Sequence, residues 1–476
     1  MTRLRLSLLV LCIWAAIYLP RLGALEIKGE EGRRILPAVT MLKSGNYLVP
    51  QVGSEPYFRK PPLINWLVAA SFKITGRRDE WSARIPSALA VLAVALAFVC
   101  VARGALGSTG ALIAALAWLT NFGLLEKGRL IEIEALYASL SALAFICWLS
   151  WWREGRSPWL VWTVPWIFLG LGLLAKGPLH LFFFYAVLLA VLISTRTLRS
   201  VLHPAHLLGV LIMLGIFAAW AVPCLLAMRE THVAHAWTRE FSGRVSGEDF
   251  HFAGWILNIP RGLGYFLPWL LLFGFRGKSG DDKEPATQTF RGVAWGVVIS
   301  FVVISLLPGS LPRYTMPLLA PASWLLASAL TTSRIEFPSW LRLRRPPFLA
   351  FELRWPSLIT ATVVAAMLVY SCALVPRLRT REKVRNLATA INEALPAAEP
   401  LYAVDPDYQP FLFYVREPLV YCSQLAEVPL TARFFLVRPE KENEALASAR
   451  WAPRHVQKSL SLRDYRKKGV ILFEIL

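Results

Sequence analysis

Eleven apolar runs, each near the length that crosses a bilayer as a helix, constrain this 476-residue chain more than any other feature. They lie at roughly 6–23, 84–104, 109–125, 132–150, 158–175, 178–195, 206–228, 262–276, 291–308, 313–332 and 356–376. A spanning helix needs about 20 mostly apolar residues. Inside lipid every backbone N–H and C=O must be satisfied within the segment, which leaves the helix as the conformation for such runs. Composition agrees: 56% of the residues are hydrophobic, only 17% are charged, and there are 19 Trp and 26 Phe. The expected fold class is an all-α polytopic membrane protein with about 11 transmembrane helices, within a range of 10 to 13.

The formal charge is +20, from 51 Lys+Arg against 31 Asp+Glu. In a membrane protein such a balance marks loops that face anionic lipid, and sites for anionic substrates. The basic loops are TRLR at the start, WWREGR near 152–156, TRTLRSVLH near 195–203, FRGKSGDDK near 275–283 and SRIEFPSWLRLRRPP near 333–347. In an eleven-helix count all of them fall on one side, which is assigned to the cytoplasm. No nucleic-acid-binding signature accompanies the charge, so no nucleic-acid partner is expected. Of the six cysteines, only Cys422 lies in a clearly soluble segment, and no structural disulfide is expected. The first apolar run follows Arg3 and Arg5, and no small-residue cleavage site follows it; a retained helix is expected.

The chain changes character near residue 377. The tail 377–476 has no membrane-length run. It begins with a polar helical stretch, REKVRNLATAINEAL, and continues with short β-like runs: PLYAVD, FLFYV, LVYC, RFFLV and VILFEIL. The domain reading is therefore a transmembrane domain 1–376, with a first outer loop 24–83, and a small soluble α/β domain 377–476.

The most informative segment is 26–67, EIKGEEGRRILPAVTMLKSGNYLVPQVGSEPYFRKPPLINWL. Glu30, Glu31, Arg33 and Arg34 cluster just beyond the first spanning run. Ile35, Val39 and Leu42 follow at helical spacing, as in an amphipathic helix at the membrane interface. Glu30 and Arg33 would share a helix face. Tyr57-Phe58-Arg59-Lys60-Pro61-Pro62 then forms an aromatic, basic and proline-rich turn that leads into a second amphipathic stretch. On residue types alone, a solvated loop with interfacial anchors is the favoured reading of this segment.

The same segment resembles the first outer loop of the GT-C membrane glycosyltransferases. Within them it resembles most the aminoarabinose–lipid A transferases and the wider glycosyltransferase-39 group that includes protein O-mannosyltransferases. Their loop reads D-E-x-R-Y-A-E, then M-L-x-T-G-D-W-x-V-P, then Y-F-E-K-P-P-L-x-Y-W. This chain reads E-E-G-R-R-I-L, M-L-K-S-G-N-Y-L-V-P and Y-F-R-K-P-P-L-I-N-W. Looser matches follow at EWSARIPS (80–87), GRLIEIEAL (128–136), LLAKGP (173–178) and PRYTMP (312–317).

The resemblance implies a GT-C fold and transfer of a sugar from a polyprenyl-phosphate donor of the undecaprenyl type. The acceptor would be a lipid A-like lipid or a protein. The setting would be the periplasmic face of a bacterial inner membrane. It implies Glu30 as the catalytic base, with Arg33, Tyr57, Lys60, Lys176 and Tyr314 around the donor phosphate. Glu134 matches a second acidic residue. Glu31, Arg129, Arg313 and Glu240 are secondary candidates. The residue types suit the chemistry: cations fixed beside a departing phosphate stabilise the charge it gains. The chain departs from the pattern at Glu30, where Asp is usual, which moves the carboxylate by about one bond, ~1.5 Å. Arg34 replaces a Tyr, and Pro37 falls inside the expected helix.

Plainer readings stand beside these. Lys176 would snorkel from a helix end, Glu134 would pair with Arg129, and Arg313 with Tyr314 would form an interfacial belt pair. Glu240, Arg244, Glu248, Asp249 and His251 would belong to a solvated loop. His232, His235 and His251 lack a completing carboxylate or cysteine set, so no metal is expected to be required. The chain has no P-loop and no G-x-G-x-x-G, and no nucleotide cofactor is expected. A flippase or transporter of lipid-linked sugars, or a non-catalytic binder of them, is the alternative function.

Overall fold

The structure is a computed structural model; it describes residues 2–53, 55–57, 60–228, 252–275, 284–332, 335, 351–406, 409–464, 466 and 468–476. Among the described residues six helices are long and apolar enough to cross a membrane. Five are Glu80–Cys100, Ile133–Arg153, Pro158–Ala175, Pro204–Met228 and Pro285–Leu306. The sixth starts at Arg354 and continues beyond Val369 through a π turn at Tyr370–Leu374. Arg3–Tyr18 and Leu179–Ser194 are shorter apolar helices. The chain is a multi-pass membrane protein.

Two of the expected spans are built differently. The run at 262–276 is not one helix: Asn258–Gly264 ends in turns, and a 3-10 stretch Trp269–Gly274 follows. Pro268 lacks a backbone N–H and disfavours helical backbone in the residue before it, so it interrupts the run. The run at 313–332 opens as a 3-10 helix, Pro312–Leu318, and becomes α-helical only at Leu319–Thr331. Pro317 inside the first part removes another helical donor.

The chain packs as two compact units. The first comprises 1–20, 59–63 and 85–370. Its helices meet through small residues. A Cβ on Gly292 or Gly296 would lie 2.5 Å from the Cα of Val191 or Val187, so these two glycines, one turn apart, let Pro285–Leu306 press directly on Leu179–Ser194. Such close approach is how helices associate where lipid offers no hydrophobic drive. Indole and phenol groups in this core find acceptors in helix backbone: Trp14 donates to Ala88 O at 2.8 Å, Trp118 to Val91 O at 2.9 Å and Tyr18 to Leu119 O at 2.9 Å.

The second unit comprises 21–58, 64–84 and 371–476, joining first-loop segments to the tail. The amphipathic helix expected from Ile35, Val39 and Leu42 runs from Gly32 to Ser44 and ends at Gly45, whose φ of 72° suits a glycine. It passes through Pro37. The Arg34 carbonyl accepts from buried Asn65 Nδ2 at 2.8 Å, which ties this helix to the segment that follows. Asn65 lies on the second expected helix, Leu63–Thr75. Buried Glu26 accepts from the backbone N–H groups of Lys383, Val384 and Arg385 at 3.1, 2.8 and 3.1 Å, and so caps the tail helix Val384–Ala394.

The tail folds into a five-stranded sheet: β1 Leu401–Val404, β2 Leu419–Cys422, β3 Phe434–Val437, β4 Val456–Arg463 and β5 Gly469–Ile475. Its order is β2-β1-β3-β5-β4, with β1 parallel to β2 and β3, and β5 antiparallel to β3 and β4. The run FLFYV is not a strand. Pro410–Phe413 is a buried 3-10 turn, since proline starts such a turn readily and a short apolar run does not fix its own period. Strand β4, VQKSLSLR, is mostly exposed at the sheet edge, and its polar sequence hides it from a search for apolar runs.

Candidate functional site

The expected site residues fall into two clusters, one in each unit. In the first unit, Glu134 stands in the first turn of Ile133–Arg153, where a carboxylate is favoured by the helix dipole. Lys176 follows directly on Pro158–Ala175, and Gly177, with a φ of 113°, turns the chain into the next helix. Arg313 and Tyr314 belong to the Pro312–Leu318 3-10 helix. These elements converge. Lys176 Nζ is 3.3 Å from Glu134 Oε1, and Arg313 Nε is 3.2 Å from the same oxygen. The Lys176 ammonium stands 4.5 Å from the Tyr314 ring centre and 5.4 Å from that of Tyr137, as cations stand over aromatic faces.

Burial pulls the Lys176 pKa down to about 8; Glu134 opposes the fall, and the positive charges of Lys60 and Arg313 deepen it. Lys60 therefore acts electrostatically on this cluster. Glu134 thus holds Lys176 and Arg313 on one carboxylate oxygen.

Beside them, Lys127 Nζ lies 3.0 Å from Glu132 and 2.9 Å from Glu126. Burial raises the Glu132 carboxyl above its usual range, with Lys127 opposing. Arg129 donates to the carbonyls of Ile17 and Pro20, the latter at 2.6 Å, and so ties its turn to the end of the first helix. Tyr137, which nothing in the sequence singles out, donates to Gly177 O at 3.1 Å and braces the turn that carries Lys176.

In the second unit, Glu30 lies in a 3-10 turn, Gly29–Glu31, that leads into Gly32–Ser44. Arg33 donates to both its carboxylate oxygens at 3.0 and 3.2 Å, and Arg34 lies 3.7 Å away. Arg34 also donates to the Tyr57 hydroxyl at 2.9 Å. The residue that breaks the sequence pattern is thus the bridge between Glu30 and Tyr57. Adjacent Glu31 points elsewhere: its side chain is 4% exposed, and Arg84 grips both its oxygens at 2.8 Å while donating to the carbonyls of Leu22, Leu25 and Glu26. A buried bidentate pair of this kind organises the loop. Glu30, at 38% exposure, is the open carboxylate of the two. Glu240, with Arg244, Glu248, Asp249 and the histidines 232, 235 and 251, lies outside the described residues. Among the described residues no group of three or more His, Cys, Asp or Glu is placed to hold a metal.

The whole architecture superposes on the crystal structure of ArnT from Cupriavidus metallidurans bound to undecaprenyl phosphate. The TM-score is 0.69 over 98% of this chain and 97% of that one, at 18% identity. The chain has the GT-C fold. In sequence, residues 59–222 match the family model described as dolichyl-phosphate-mannose-protein mannosyltransferase. It is 27% identical over 337 residues to an undecaprenyl phosphate-alpha-4-amino-4-deoxy-L-arabinose arabinosyl transferase of Pseudomonas savastanoi pv. phaseolicola, covering 69% of this chain and 62% of that protein. To transferase 2 of the same description from Proteus mirabilis it is 26% identical over 296 residues, covering 60% and 52%. The GT-C chain thus spans between half and two thirds of the length of these curated relatives.

Proposed function

We propose that this chain transfers a sugar from a polyprenyl-phosphate carrier to an acceptor hydroxyl at the periplasmic face of a bacterial inner membrane. The observation that carries the proposal is the buried Lys176, held with Arg313 around Glu134 and over the face of Tyr314, in a GT-C fold. Cations gathered in a poorly hydrated place are stabilised by charge-assisted hydrogen bonds to a phosphate anion.

In the reaction the acceptor oxygen attacks the anomeric carbon. The bond from that carbon to the phosphate oxygen breaks, its electron pair stays on the phosphate, and the configuration inverts. The acceptor proton passes to a carboxylate, for which Glu30 is the candidate. Lys60, Lys176 and Arg313 stabilise the charge that grows on the carrier phosphate. A phosphate leaves without a protonating acid, so one carboxylate suffices where glycosidases use two. Arg33 and Tyr57 are proposed to serve the donor, with Arg33 engaged with Glu30. The names of the relatives favour an undecaprenyl carrier, and the acceptor proposed is a lipid A-like lipid or a protein. Residues 1–376 would form the catalytic membrane domain and 377–476 a soluble periplasmic domain.

Carrier recognition is tested by competition binding in nanodiscs. Undecaprenyl phosphate should displace a labelled analogue and undecaprenol should not. Lys176→Gln should weaken the phosphate by about 10- to 100-fold, the range expected for a charge-assisted hydrogen bond. Equal binding of phosphate and alcohol would refute the assignment.

A further inference from the structure

A polar cavity lies wholly within the tail domain. It encloses about 490 Å³ and is lined by Gln409, Arg438, Glu440, Arg463 and Lys468, with Pro439 and Gly469 forming a wall. That volume is within the range of small-molecule sites, roughly 300–1,000 Å³. Its position follows from the sheet. The chain leaves β1 to form β2 on one side, then returns to form β3 on the other. Parallel strands that part in this way leave a crevice beyond their carboxyl ends, the usual ligand position in open α/β sheets. Gln409 follows β1, and Arg438 follows β3 directly. The antiparallel pair adds Arg463, the last residue of β4, opposite Gly469, the first of β5.

The cavity is built. Gly469 is required there, since a Cβ would overlap the Pro439 ring. Asp464 accepts from the N–H groups of Arg466 and Lys468, each at 2.8 Å, and fixes the turn that presents Arg463 and Lys468. Arg438 is oriented by Asp405, which takes a left-handed conformation (φ 45°) just after β1. Two polar atoms are left wanting. Arg438 Nε is buried without a hydrogen bond among the described residues. Gln409 is 1% exposed, and its side-chain oxygen likewise has no donor. An unsatisfied buried acceptor is costly, so a ligand that brings a hydroxyl donor is favoured.

We propose that this pocket binds a phosphorylated sugar: Arg438, Arg463 and Lys468 take the phosphate, and Gln409 and Glu440 accept hydroxyls of the sugar. A bare anion would leave Gln409 unsatisfied, and a neutral sugar would bring no negative charge to the basic side chains of the wall. The site is independent of the transfer reaction proposed above and of its cations.

The test is calorimetric titration of the full-length protein in nanodiscs with glucose 1-phosphate, inorganic phosphate and glucose. Glucose 1-phosphate should saturate the wild type and bind more tightly than phosphate, with no heat from glucose. Arg438→Gln should weaken it by about tenfold, the lower end for a charge-assisted contact. Lys468→Gln, an exposed change that spares the fold, should weaken it several-fold. Lys176→Gln should leave it unchanged. Liposomes bearing a phosphorylated glucosamine lipid will compete if the natural source is a lipid headgroup; if they do not, a soluble sugar phosphate is the ligand. No saturable binding to the wild type, unaltered affinity in both pocket variants, or loss in Lys176→Gln would overturn the proposal.

Discussion

Lys176 holds its ammonium 3.3 Å from the Glu134 carboxylate across 42 residues of sequence, and the pair shares that carboxylate with Arg313. Burial pulls the pKa of this lysine down to about 8. Phosphate binding favours the charged form, so carrier affinity should fall on the order of tenfold between pH 7 and pH 9, with proton uptake on binding at the upper end. Lys176→Arg stays charged throughout and should flatten the profile. Ionisation of the carrier is common to both proteins, so the difference between the two curves reports the lysine. Binding isotherms at several pH values check it.

Glu31→Ala leaves Arg84 buried without its carboxylate. Removing one partner of such a pair costs about 3–5 kcal/mol. The thermal midpoint of the detergent-solubilised protein should drop sharply, and any loss of activity should follow the loss of folded protein. Glu30→Ala, at an open position, should leave the midpoint within a degree or two.

Glu26→Ala removes an acceptor shared by three backbone donors of the tail helix. Loss of an N-cap costs about 0.5–2 kcal/mol. Faster hydrogen exchange over residues 383–388, with little change in the β-sheet, is the expected signature.

Gly296→Val places a branched side chain where Val187 already lies 2.5 Å from a Cβ. The two helices must separate. The variant should express poorly or run as aggregate on size exclusion, whereas Gly215→Val, with nothing nearby, should behave as the wild type.

Much of this fold was legible because lipid imposes a simple rule. Runs such as 132–150 and 206–228 had to be helices, and Ile35, Val39 and Leu42 announced the loop helix by their spacing. Where proline competes with hydrophobicity the rule fails, as at Pro268, where the run at 262–276 breaks. Within the site, a resemblance named Glu134, Lys176 and Tyr314, and the structure brings them together with Arg313. The partners of Glu26 and Glu31 were not readable, since they lie 357 to 359 and 53 residues away. Arg34 looked like a departure from a pattern because its role depends on Tyr57, 23 residues on. The cavity of the tail draws on four strand ends, including β4, whose polar sequence concealed it.

Sugar transfer itself tests the central claim most directly. Purified protein in nanodiscs is given radiolabelled polyprenyl-phosphate sugars and a membrane extract as acceptor source. The account predicts label in an acceptor with the wild type, and loss of at least about a hundredfold in rate with Glu30→Gln and with Lys176→Gln. Carrier that binds, or crosses the bilayer, with its sugar still attached, and that behaves the same in both variants, would contradict it and make the chain a binder or transporter of lipid-linked sugars.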